Sequence, residues 1–131
     1  MDPLSPVGLA IRLESVVRTA KSIISNLFQY EAAKNAPEKS KELRREMHTV
    51  CDTLESLNMA LPEWKHSSDL SSLKDSLSKF AAILIEMNSR VEQMSTGPLS
   101  WPFSKDENRR FLSKIEKYKE TFTVALNAIS T

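Results

Sequence analysis

Residues 70–94 read LSSLKDSLSKFAAILIEMNSRVEQM, and their apolar positions decide the fold. Leu70, Leu73, Leu77, Phe80, Leu84, Met87, Val91 and Met94 follow one another at intervals alternating between three and four. An α-helix turns once in about 3.6 residues, so this alternation keeps all eight side chains on one side of a rod. A strand would repeat every second residue. A helix that is apolar along one side must bury that side against a neighbour. The segment therefore predicts partners of the same kind.

Three more segments supply them. Upstream, Ala10, Leu13, Val17, Ala20, Ile24 and Leu27 repeat at the same intervals, with Val16, Ile23 and Tyr30 widening the stripe. Ser5 before Pro6 suits a helix start, since proline is tolerated where no backbone N–H is needed. Asp2 before Pro3 offers the same signal one turn earlier. After Pro37 come Leu43, Met47, Val50, Leu54, Leu57 and Leu61, stopped by Pro62. Downstream, Phe111, Ile115, Tyr118, Phe122, Ala125 and Ile129 form the fourth stripe, opened by Ser104 and Glu107 as a capping box. Gly97 and Pro98 end the third. Connections near 32–36, 62–68 and 97–103 are short. Alternating intervals and short links predict an all-α fold, an antiparallel up-down-up-down four-helix bundle.

Composition agrees. The 131 residues suit one domain, 1–131, and 40% apolar with 27% charged residues is ordinary globular usage. Two glycines leave little provision for tight turns. A net charge of +1 signals no nucleic-acid partner. One cysteine, Cys51, excludes an internal disulfide and fits a reducing, cytoplasmic setting. The uncharged windows 3–11 and 22–30 fall far short of the roughly 20 residues a spanning helix needs. The last stripe reaches almost to Thr131, as in a piece of something longer.

Candidate sites are sparse. Leu4, Val7 and Ile11 fall on the far side of the first helix from its stripe. A frayed start, a second chain or domain, and a bilayer surface each account for them. Lys39, Lys41, Arg44 and Arg45 stand among Glu38, Glu42 and Glu46; they read as a solvated face and, alternatively, as contacts for lipid phosphate. Glu42 with Arg45, Asp75 with Lys79 and Asp106 with Arg110 have the spacing of surface ion pairs. His48, Cys51 and Asp52 share a helical face, but no second cysteine exists to complete a zinc set and no third group orients a Cys–His pair. Gly-rich phosphate loops, G-x-S-x-G and H-E-x-x-H are absent. No cofactor, metal or enzyme activity is expected. The loop STGPLSWPFSKDE, 95–107, carries Trp101 and Phe103. These rings fit a lid over one end of the bundle, or an exposed patch that docks a partner or a membrane interface. Trp64 suits the opposite end.

The run Leu99-Ser100-Trp101-Pro102-Phe103, the helix FLSKIEKYKETFTVAL, the opening MDPLS and the segment LRREMHTVCDTLESL resemble the N-terminal domains of fungal NOD-like receptor (STAND) proteins, in or near the HeLo-like class. The resemblance covers nearly the whole chain. It implies a helical signalling module ahead of a nucleotide-binding oligomerisation unit, with the downstream domains and, on activation, further copies as partners. It also implies a role in regulated cell death during non-self recognition, with membrane lipid as target. Against the class, the first 30 residues here carry Arg12, Glu14, Arg18 and Lys21, and only Gly8 among glycines.

Overall fold

The computed structural model describes residues 6–33, 37–63, 70–96 and 101–130. They form four helices: α1 Pro6–Ala33, α2 Glu38–Ala60, α3 Leu70–Thr96 and α4 Lys105–Ser130. A single 3₁₀ turn, Leu61–Glu63, follows α2, and no strand occurs among the described residues. Helix starts follow local chemistry. Pro6 is the first residue of α1. Before α4, Ser104 Oγ accepts from the Glu107 N–H at 3.1 Å while Glu107 Oε1 accepts from the Ser104 N–H at 3.0 Å, so the capping box forms. Before α2, Pro37 is extended and supplies no side-chain cap. Leu4, Ser5, Trp64, His66, Gly97, Pro98 and Leu99 lie outside the described residues.

One hydrophobic cluster joins all four helices. From α2 it takes Leu43, Met47, Val50, Leu54, Leu57 and, just beyond, Leu61, the stripe read from sequence, and adds Cys51. Leu73, Leu77, Phe80, Leu84, Met87 and Val91 of α3 and Phe111, Ile115, Tyr118 and Phe122 of α4 are buried as expected. Each fully buried Leu or Phe is worth about 2 kcal/mol in surface withdrawn from water. The stripe on α1 needs correction. Its buried line is Leu9, Leu13, Val16, Ala20, Ile23, Leu27 and Tyr30, with Ala10, Val17 and Ile24 only partly buried beside it. The helix is turned by about one position: the sequence is apolar at both members of Leu9/Ala10, Val16/Val17 and Ile23/Ile24, and packing buries the first of each pair. On α4, Ala125 and Ile129 are partly buried rather than buried.

The adjacent pairs are α1 with α2, α1 with α3, α2 with α4 and α3 with α4. Consecutive helices α2 and α3 are not a closely packed pair. Side chains give the sense of the two contacts that α1 makes. Between α1 and α2, Glu31 meets Arg44 and Lys21 meets Glu55, so one number falls as the other rises. Between α1 and α3 the numbers rise together: Arg12 Nη1 donates to Ser78 Oγ at 2.9 Å and Ser22 Oγ to Asn88 Oδ1 at 3.4 Å. Spacing and link lengths do not say which helices touch; α1 and α3, which no link joins, lie side by side and run the same way. Two surface pairs also differ. Arg45 bonds Glu38, and Arg110 reaches across to Glu86 of α3, at 3.2 and 3.0 Å. Asp75 and Lys79 pair as spaced, at 3.0 Å.

Candidate functional site

Three surfaces carry the residues singled out by sequence. The first is the start of α1. Ile11 is 55% exposed, far from the buried line. Val7 lies within α1 and Leu4 outside the described residues. The helix continues through Ile11 without a break, so helical geometry turns that residue outward.

The second is the outer groove between α1 and α2, about 410 Å³, lined by Lys21, Phe28, Arg44, His48, Cys51 and Glu55 among others. Arg44 lies against α1: its Nε and Nη2 donate to the two carboxylate oxygens of Glu31 at 2.7 and 3.2 Å, and its guanidinium sits 5.9 Å from the Phe28 ring centroid. Such a fork-to-carboxylate pair holds its geometry and leaves little charge for another anion. Arg45 is exposed and paired to Glu38, while Lys39 and Lys41 are exposed. Cys51 is buried and its thiol donates to Glu55 Oε1 at 3.6 Å. Burial, then the negative charge of Glu55, raises its pKa from 9.0 to about 11. The thiolate is the nucleophile, so this sulfur is poorly suited to attack at neutral pH. His48 and Asp52 are exposed, and no group of three His, Cys, Asp or Glu residues among the described ones is arranged to hold a metal ion.

The third surface is the end of the core under residues 101–104. Phe103 is 5% exposed and Trp101 partly buried. Trp101 leans on Tyr30 of α1 at 5.9 Å between centroids and on Phe103 at 5.3 Å; Phe103 meets Phe111 of α4 edge-on at 5.0 Å. The rings bridge α1 to α4 across the end of the core. Arg90 of α3 holds the arrangement from outside. Its guanidinium bonds both oxygens of Glu107 and the Pro102 carbonyl, and lies 4.8 Å from the Phe103 centroid. That bonding, chiefly from Arg90 and then from the Ser104 backbone, lowers the Glu107 carboxyl from 4.5 to about 2.

Sequence spacing points to Trp101 and Phe103 but not to Arg90, Glu31 or Phe28. It shows Glu107 only as half of a local cap. Nothing local to residue 90 marks it as the partner of a loop some dozen residues on. No protein-family model, curated protein or solved structure matches the chain. Among the described residues, no helix is long and apolar enough to cross a membrane.

Proposed function

We propose that this chain is a non-catalytic signalling module of the fungal HeLo-like kind, an up-down-up-down helical bundle at the N-terminus of a NOD-like receptor-type protein. Oligomerisation driven by downstream domains gathers copies and turns the start of the chain toward a bilayer, with the exposed Ile11 and the Leu4 and Val7 singled out by spacing as its contacts. Lys39 and Lys41, the exposed cations of the α2 start, are the contacts for lipid phosphate. The setting is cytoplasmic, with membrane association after activation. The observation that carries the reading is the core itself. Among the described residues its polar groups are Ser40, Asn108, the Tyr30 and Tyr118 hydroxyls and the Cys51 thiol, whose pKa is raised by burial; no carboxylate, imidazole or amine lies with them. What remains for function is surface.

A second reading is a protein-interaction module that never touches lipid. The pairing of Arg44 with Glu31 and of Arg45 with Glu38 favours it, because half of the basic run is already neutralised within the fold.

Leakage from anionic vesicles separates the two. The membrane reading expects dye release at micromolar protein, lost on Val7→Glu with Ile11→Glu and reduced on Lys39→Glu with Lys41→Glu. Absence of leakage, with toxicity in cells unaffected by the Val7 and Ile11 substitutions, overturns it. A protein partner lost on those same two substitutions establishes the second reading instead.

A further inference from the structure

The four helices form a ring of contacts in the order α3, α1, α2, α4, closed by the α3–α4 edge. That edge is built differently from the other three. The backbones of α3 and α4 approach closely over a shorter length than those of any other adjacent pair. Large rings hold them apart. Phe80 of α3 meets Tyr118 at 5.4 Å and Phe122 at 5.5 Å between centroids. Towards the start of α3 the two helices leave a groove of about 600 Å³, with Leu73, Ser76, Thr121, Val124 and Ala125 on its walls. Towards the other end the closure is ionic: Arg90 with Glu107, and Arg110 with Glu86.

We propose that the α3–α4 edge is the one along which this fold opens, and that Arg90 is its clasp. Helices joined by closely interdigitated side chains separate only by forfeiting many small contacts at once. At this edge the backbones are held apart by rings and a groove enters between the helices, so fewer backbone positions interlock, and local opening draws on such regions. Arg90 ties α3 both to the 101–104 strap and to the start of α4. Its release does not unravel α4, because Ser104 and Glu107 still cap each other without it. The helix comes away as a helix. Arg110 and Glu86 are about half exposed, so salt weakens this second tie. Opening uncovers Phe80, Tyr118 and Phe122, the rings that meet across the edge. The inference rests on packing and holds whichever target the module meets.

Distances between paired spin labels test it on the full chain in a Cys51→Ala background. Ser89→Cys and Ser113→Cys are exposed positions on α3 and α4; Ser25→Cys and Ser56→Cys serve as the control pair on α1 and α2. With Arg90→Gln, the α3–α4 pair gains a second, longer distance and the control pair keeps its single one. Arg110→Glu, at an exposed position whose guanidinium lies 4.7 Å from the Phe111 ring centroid, gives the same shift, and adding Glu86→Arg removes it. The proposal is overturned if the α3–α4 distance stays single and narrow in all variants, or if both pairs broaden together. Should Arg90→Gln fail to fold, the Arg110→Glu variant and its charge swap decide between these outcomes on their own.

Discussion

Arg12 of α1 donates to Ser78 of α3 across 2.9 Å, an offset of 66 residues that recurs ten positions further on at Ser22 and Asn88. Two bonds at one offset fix a register between helices that are not consecutive in the chain. Alanine at Arg12 and at Ser78, singly and together, gives a coupling energy of about 0.5 kcal/mol in a double-mutant cycle by urea unfolding. Additive losses mean that the bond contributes nothing to stability.

Trp101→Ala lowers the unfolding free energy by about 2 kcal/mol and Phe103→Ala by about 3 kcal/mol, the smaller loss belonging to the less buried ring. Chemical denaturation reads both. A Trp101→Ala chain as stable as the parent removes the lid and leaves the ring as a docking group.

Glu107 titrates far below its ordinary 4.5, at about 2, in the folded chain. A lowered folded value means the unfolded state binds the proton first as pH falls. The contribution of this carboxylate is therefore complete above about pH 5 and disappears between there and pH 2. Glu107→Gln is less stable than the parent at pH 7, and the gap narrows steadily on acidification, as thermal midpoints measured from about pH 7 to 2.5 record. A gap independent of pH shows that the cap and the Arg90 pair do not depend on ionisation.

Cys51, raised to about 11 by burial first and by Glu55 second, resists thiol reagents at neutral pH. Labelling proceeds at the rate of the opening that exposes it and accelerates steeply in denaturant. Immediate labelling of the native chain shows that the α1–α2 groove admits reagent to the sulfur.

The helical stripes are legible because each obeys a rule local to its own segment. Leu43 through Leu61, Leu73 through Val91 and Phe111 through Phe122 go where their spacing sends them. Leu9 escapes that rule because α1 offers two adjacent apolar lines, one through Leu9, Val16 and Ile23 and one through Ala10, Val17 and Ile24, and only tertiary packing chooses between them. The same reason hides the α1–α3 contact: spacing gives each helix one apolar side but not which partner lies there. Glu42 and Asp106 have the right spacing for Arg45 and Arg110, yet Glu38 and Glu86 take those partners. A surface pair at helical spacing is worth only a few tenths of a kcal/mol, so a modest gain elsewhere redirects it.

The contrast between Pro37 and Ser104 bears on how the chain acquires its shape. The first turn of α4 brings its own reciprocal clamp, encoded within four consecutive residues. Before α2, Pro37 offers no side chain to receive the leading amides, and one turn further on Arg44 reaches Glu31 on another helix. Excised as peptides, 101–130 retains a defined beginning whereas 37–60 frays at its start. α4 thus carries the information for its own beginning, whereas part of α2's comes from α1.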